Sequence, residues 1–157
     1  MKPQPKKVKR ELEKTYLSVI ENSVGSKMFN NFYAKVSNQS KNVTEGGRLS
    51  CAFFVSGICR IFNLTNDIHG TVEGTLIDLK KNGWKRVEKP KPGNIIIWEP
   101  DATLKHNIHP HIGFYYGSQK AISNSSQKKK IVIHHWTYGV TKNKPNQTIR
   151  IILAYPF

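Results

Sequence analysis

Acidic residues and long apolar runs are both scarce in this sequence. Only 10 Asp and Glu residues stand against 25 Lys and Arg in 157 residues, and the acids are scattered without an obvious pair. Catalysis by paired carboxylates is therefore poorly supported. The longest apolar runs, 52–55 and 95–98, fall far short of the roughly 20 residues that a membrane-spanning helix needs. We therefore expect no membrane span.

Cysteine is scarce as well, and the two present are Cys51 and Cys59. No CxxC pair occurs, so a zinc ribbon or zinc finger has no ligand set. On one helix the two residues would lie roughly 12 Å apart, beyond the ~7 Å limit for a disulfide. We expect two free thiols. A phosphate-binding loop is also missing, because Gly46-Gly47 lacks the GxxxxGK pattern.

The first ten residues contain five Lys or Arg and two Pro, with no apolar periodicity. We expect residues 1–10 to form a basic flexible tail and residues 11–157 to form a single domain. No apolar stretch follows the basic segment, so no signal peptide is visible. The localisation therefore stays open: the chain remains inside its cell, leaves by another route, or derives from a longer precursor.

The excess of basic residues gives a formal net charge of +15. The positive electrostatic potential of such a protein favours polyanionic partners: nucleic acid, anionic lipid or the phosphate-rich polymers of a cell wall. In the C-terminal half, Trp136, Tyr138, Lys142 and Lys144 could stack on bases and neutralise phosphates. Ordinary strand aromatics and surface lysines explain the same residues, and a nucleic-acid partner is not expected.

Helical periodicity dominates the first half of the chain and strand patterns dominate the second. Helices are expected over 8–24, in a short segment over 28–36, over 50–62 and over 71–82, with a loop over 37–47. Strands are expected over 94–98, 110–117, 120–125, 131–136 and 148–155, with a hairpin turn at 128–130. Helices followed by short strands indicate an α+β fold, in which N-terminal helices pack on a five- to six-stranded antiparallel sheet.

Cys51 is the candidate nucleophile. Ser50 is suited to cap the helix over 50–62, which places Cys51 in its first turn. The positive end of the helix dipole and the free backbone N–H groups there favour the thiolate, the nucleophilic form. Alternatively, the residue only packs, as free cysteines usually do and as Cys59 is expected to do.

A thiolate needs an imidazole to take and return its proton. His111 begins a strand directly after a proline, and Gly113 on the same face leaves space beside its ring, as a cleft requires. His134 and His135 point to opposite faces of one strand, so only one of them can face a given site. His69 is expected at the surface.

The same part of the chain contains histidines at a spacing that could in principle bind zinc. His106, His109 and His111 are spaced as HxxHxH. Acidic ligands nearby are few, and a loop interrupted by proline does not preset a coordination geometry. We therefore expect neither a metal nor another cofactor.

Three segments together resemble a known family. They are Ser50-Cys51-Ala52-Phe53-Phe54-Val55-Ser56 at a helix start, Gly83-Trp84 with Pro92-Gly93-Asn94-Ile95-Ile96-Ile97-Trp98, and His111-Ile112-Gly113-Phe114-Tyr115-Tyr116-Gly117. Their order and spacing resemble the papain-like bacterial cell-wall peptidases of the NlpC and CHAP groups, over about residues 28–136. The resemblance departs at two positions, because relatives usually carry Asp where Ser50 and Asn94 stand.

The resemblance implies a papain-like fold and a cysteine amidohydrolase that cleaves amide bonds in peptidoglycan peptides at the bacterial cell wall. Cys51 would be the nucleophile and His111 the general base. For the third, orienting residue we prefer Asn124, whose amide oxygen can accept the imidazole N–H, with Ser123 as the alternative. Strand alternation turns Asn124 to the opposite face unless a bulge intervenes. Tyr33 is the counterpart of an upstream tyrosine that recurs in such sites.

Two other functions fit the same sequence. One is a catalytically silent basic module that binds anionic wall polymer or nucleic acid. The other keeps the fold and the thiol for acyl transfer to, or deamidation of, another protein. For the hydrolase, anionic wall polymers are possible additional partners through the basic surface, and we expect a monomer that is released by lysis or secreted by a non-classical route.

Overall fold

A computed structural model describes residues 8–101 and 108–157. The residues 1–7 of the expected basic tail and His106 lie outside this range. The helices are α1 (Leu12–Asn22), α2 (Cys51–Ile61) and α3 (Val72–Lys81), with a short 3-10 helix at Glu45–Gly47. The strands are β1 (Tyr33–Val36), β2 (Gln39–Asn42), β3 (Lys85–Arg86), β4 (Ile95–Trp98), β5 (His111–Gly117), β6 (Lys120–Ser125), β7 (Lys130–His135), β8 (Val140–Thr141), β9 (Lys144–Pro145) and β10 (Ile149–Ala154).

The central feature is a six-stranded sheet in the order β3-β10-β4-β5-β6-β7. Each pairing of neighbouring strands in it is antiparallel. The helices precede these strands in the chain, and α2 packs on β5 and β6. The predicted α+β class with an antiparallel sheet is confirmed. Within the described residues, none of the helices has the length and apolar character needed to cross a bilayer.

Two of the helices follow the sequence expectations closely. The Thr71 side chain accepts a hydrogen bond from the Gly74 N–H, which caps α3 and fixes its start. In α2 the buried residues extend almost all round, as predicted. Ser50 occupies the N-cap of α2, but its hydroxyl is buried and makes no hydrogen bond. The predicted capping bond is therefore absent.

The predicted helix over 28–36 is wrong. Residues 33–36 form β1, which pairs antiparallel with β2 through a turn at Ser37 and Asn38. Both turn residues have positive φ, 50° and 63°, the backbone that a two-residue hairpin requires. Phe32 stacks on Phe53 of α2 with ring centroids 4.8 Å apart, so tertiary packing holds the segment extended.

The main core lies between the helices and one face of the sheet. Phe54 and Ile58 of α2 are fully buried there against Ile112 and Phe114 of β5. Phe54 and Phe114 meet edge to face with centroids 5.4 Å apart. Burying each of these side chains stabilises the fold by about 1.5–3 kcal/mol. This packing fixes α2, and with it Cys51, against the strand that begins at His111.

The loop between α2 and α3 is tied down by Asp78, which is only 6% exposed. Its carboxylate accepts hydrogen bonds from the backbone N–H groups of Asn66 and Asp67, and it lies 2.7 Å from Nε2 of His69. Burial alone would raise the pKa of Asp78, but the bonds from His69 and the backbone lower it. His69, which was expected at the surface, is thus paired with Asp78.

Candidate active site

Cys51 is the first residue of α2 and is half-buried. Backbone N–H groups of Ile112, Ala52 and Cys51 itself face its sulfur and act to lower the pKa of the thiol. N–H groups in the first turn of a helix have no partner within the helix, so those of Cys51 and Ala52 are free for this role. Cys59, in contrast, is fully buried in the main core, and neither cysteine is in a disulfide. The two predicted free thiols are confirmed.

The thiol of Cys51 is the stable form in the resting protein. Burial raises the pKa of Cys51 to about 11, and the backbone N–H groups offset only part of that rise. The position of Cys51 in the sequence predicts that the helix N-terminus favours the thiolate. Desolvation of the charged sulfur outweighs the helix terminus here.

Cys51 and His111 line one cavity of about 710 Å³. This volume lies within the ~300–1,000 Å³ typical of ligand pockets. Its wall is formed mostly by apolar side chains, with Arg48 and Glu73 as charged members. The apolar residues of the wall include Phe32, Val43, Leu49, Ala52 and Val72.

His111 is the first residue of β5, where it pairs with Trp98 of β4. The two rings stack with centroids 5.4 Å apart at an angle of 28°. Burial lowers the pKa of His111 to about 3, with a further contribution from His134. The imidazole is therefore neutral at pH 7, and one of its two ring nitrogens has a free lone pair.

Ser123, and not Asn124, contacts the imidazole. Its Oγ lies 2.9 Å from Nε2 of His111. Gly113 pairs directly with Ser123, so alternation puts Ser123 on the face of the sheet that His111 occupies. Asn124 lies on the other face and donates through Nδ2 to the Gly47 carbonyl at 2.8 Å. The preference for Asn124 as the orienting residue is therefore wrong: the bulge it needed lies elsewhere, between Tyr115 and Gly117.

Gly113 has a role different from the one expected. A Cβ at this position would lie 2.7 Å from the Ser123 Cβ and 2.7 Å from the Ile122 carbonyl oxygen. The space beside the ring is therefore filled by β6 and not left open as a cleft. Glycine at 113 lets β6 approach closely enough for the Ser123 hydroxyl to reach His111.

Two further residues, both missed as site members in the sequence, meet at the Ser123 hydroxyl. His134 of β7 places Nε2 2.8 Å from Ser123 Oγ, and the Tyr138 hydroxyl lies 3.3 Å from it. The rings of His134 and Tyr138 stack with centroids 4.1 Å apart. Alternation already allowed His134 to face a site. The register that puts it beside Ser123 depends on the connection over 126–129, whose exact bounds the sequence pattern did not predict.

Tyr33 is not part of this cluster. It is 66% exposed on β1, and the cavity wall includes its neighbours Phe32 and Ala34 instead. Tyr33 therefore lies away from the Ser123 hydroxyl, and Tyr138 is the tyrosine that contacts this cluster. Its hydroxyl has a pKa raised by burial to about 12.

The remaining histidines have other surroundings. His109 lines the cavity, and Nδ1 of His135 accepts hydrogen bonds from the backbone N–H groups of Thr137 and Gly139. Over residues 8–101 and 108–157, no group of three or more His, Cys, Asp or Glu is placed to hold a metal ion.

The chain matches no protein-family model and no curated protein.

Proposed function

We propose that the protein is a papain-like cysteine amidohydrolase, with Cys51 as the nucleophile, His111 as the general base and Ser123 as the residue that orients the imidazole. One arrangement carries the proposal: Cys51 and His111 line the same cavity, and Ser123 Oγ lies within hydrogen-bond distance of His111 Nε2. That contact leaves Nδ1 as the nitrogen that can take the thiol proton. A nucleophile, a base and a third group that holds the base are the parts that acyl transfer needs.

The reaction starts from a neutral pair. His111 takes the proton of the Cys51 thiol as the sulfur attacks the amide carbonyl, because both groups are uncharged at rest. The oxyanion that forms accepts hydrogen bonds from the N–H groups of Cys51 and Ala52 at the start of α2. The imidazolium then protonates the leaving amine and a thioester remains. Water, deprotonated by His111, attacks the thioester, and the imidazolium returns that proton to the departing Cys51 sulfur. The products are an amine and a carboxylic acid, and the neutral pair is restored.

The substrate class rests on the motif resemblance. We propose amide bonds in the stem or cross-bridge peptides of peptidoglycan. The formal net charge of +15 supports this class, because bacterial walls carry anionic polymers that would concentrate a basic enzyme at its substrate. The cavity beside Cys51 is large enough to take several atoms on either side of a scissile bond.

The test is digestion of purified peptidoglycan fragments, with products identified by mass spectrometry. The wild-type protein should add one water per cleaved bond, and Cys51→Ala and His111→Ala should each reduce cleavage to background while keeping a native circular dichroism spectrum. Cys59→Ala is the matched control, because it removes the other thiol and should retain activity. Cleavage retained by Cys51→Ala would overturn the proposal.

An inactive wild-type protein would also contradict it. If such a protein bound DNA or wall polymer with a steep salt dependence, unaffected by Cys51→Ala, the basic binding module would replace the hydrolase.

A further inference from the structure

The hydrogen bonds around His134 fix where its proton lies. Nδ1 of His134 is 2.8 Å from the carbonyl oxygen of His135. A carbonyl oxygen only accepts, so Nδ1 carries the proton. Burial lowers the pKa of His134, and the ring is therefore neutral at pH 7. Its other nitrogen, Nε2, consequently has a lone pair and acts as an acceptor.

The Ser123 hydroxyl then has one possible arrangement. It has a single proton to donate, and His134 Nε2 at 2.8 Å is the neighbour that must receive it. Its oxygen can accept two hydrogen bonds, which come from the Tyr138 hydroxyl at 3.3 Å and from His111 Nε2 at 2.9 Å. Every donor and acceptor position of this hydroxyl, which is only 1% exposed, is thereby used.

We propose that His134 is a positioning residue that sets the tautomer of His111 through the Ser123 hydroxyl. Because Ser123 gives its proton to His134, it can only accept from His111, which must carry its proton on Nε2. The lone pair of His111 therefore lies on Nδ1, the nitrogen that the proposed reaction needs as a base. The catalytic role rests on the proposed function, whereas the tautomer does not depend on it.

The packing around His134 holds its ring in place. One face stacks on Tyr138 at an angle of 19°, and Trp98 lies 5.7 Å away. Tyr138 has a φ of +58°, a left-handed backbone that is a rare outlier for a bulky residue. The His135 ring stabilises that backbone by accepting hydrogen bonds from residues on either side of it. The turn around Tyr138 therefore places its side chain against His134 and Ser123.

Two variants of His134 separate its hydrogen bond from its packing. His134→Gln offers an amide oxygen to the Ser123 hydroxyl without an aromatic ring, whereas His134→Phe keeps a ring to stack on Tyr138 but offers no acceptor. Ile133→Gln is the control, since it adds a glutamine at an exposed position of the same strand. The first readout is the tautomer of His111, measured by long-range 15N–1H NMR on the folded proteins. The second is kcat on a peptidoglycan fragment.

In the wild-type protein and in Ile133→Gln, His111 should be protonated on Nε2. His134→Phe should give a mixture of tautomers and a kcat about 100-fold lower, within the range that general-base catalysis contributes. His134→Gln should restore both to near wild-type values. The proposal is overturned if His111 carries its proton on Nδ1 in the wild-type protein, or if the Phe and Gln variants behave alike.

Failure of the proposed function gives a different pattern. The wild-type protein would then cleave no substrate while its His111 tautomer still responded to His134 as described. If His134→Phe does not fold, the wild-type tautomer together with the smaller change Ser123→Ala provides the test. Ser123→Ala must also release His111 from the Nε2-protonated form, and an unchanged tautomer in that variant would overturn the proposal.

Discussion

The protonation state of Cys51 leads to a quantitative prediction about its reactivity. The sequence favours a thiolate at the start of α2, whereas burial raises the pKa of this thiol to about 11. At pH 7 the thiolate fraction is then about 10⁻⁴, against about 3% for a free thiol of pKa about 8.5. Because the thiolate is the reactive form, Cys51 should be alkylated by iodoacetamide about 300-fold more slowly than a free thiol.

The dependence on pH follows the same reasoning. The alkylation rate should rise about tenfold for each pH unit until the pH approaches 11, since ionisation of the thiol limits the reaction. His111→Ala should leave the shape of this profile unchanged, because a neutral imidazole does not lower the thiol pKa by charge. The alkylation rates should be measured on the Cys59→Ala protein, because Cys51 is then its sole thiol.

A different profile would refute the neutral pair. Rapid alkylation on a plateau between about pH 5 and 7, lost in His111→Ala, is the signature of a thiolate–imidazolium ion pair. That result would mean that the attraction between the two charges exceeds their desolvation. It would leave Cys51 and His111 as partners but would replace the proposed starting state of the reaction.

Three further predictions concern stability. Gly113→Ala should lower the free energy of unfolding by about 1–3 kcal/mol in urea titrations, because its Cβ would collide with β6; a neutral effect would show that the strands can separate freely. Asp78→Asn should cost roughly 2 kcal/mol at pH 7 by weakening charge-assisted hydrogen bonds. Because the pKa of Asp78 is lowered in the folded protein, the stability that its carboxylate contributes is present above its ordinary pKa of 3.8 and is lost as the pH falls through the folded pKa. The free energy of unfolding of Asp78→Asn should therefore fall less steeply with decreasing pH than that of the wild-type protein. Tyr33→Phe should change neither the unfolding midpoint nor kcat, and loss of activity would return Tyr33 to the site.

The sequence predicts best those helices and strands that have a strong hydrophobic periodicity and clear residue signals at their ends. α3 has a capping threonine and a glycine stop, and β6 begins and ends where its pattern does. The hairpin of β1 and β2 was missed for a physical reason. Its turn, Ser37-Asn38, contains no glycine although both residues have positive φ, so the usual Asn-Gly signal is absent. Ser118-Gln119 and Lys142-Asn143 have the same backbone.

For the candidate site, the placement of residues could be predicted where it depends on local sequence and not where it depends on strand register. Cys51 and His111 stand at the start of one helix and one strand, and both positions could be identified along the chain. Asn124 was preferred to Ser123 for its chemistry, although strand alternation turns its side chain away from His111. In the structure the side chains follow this alternation, and Ser123 is the residue that faces His111. His134 reaches the site because Ala121 pairs with it across β6 and β7. That pairing depends on the connection over 126–129, whose exact length the residue pattern does not predict.

Trp98 has a consequence for the energy of the reaction as well as for packing. Its indole face lies 5.4 Å from the ring of His111, which is uncharged before reaction. In the proposed mechanism a positive charge forms on His111 as the sulfur attacks, directly against the electron-rich face of the indole. A cation in this position is stabilised by about 0.5–2 kcal/mol, whereas the neutral ring gains little. Trp98 would therefore bind the transition state more tightly than the ground state, and such differential binding is the kind that raises kcat.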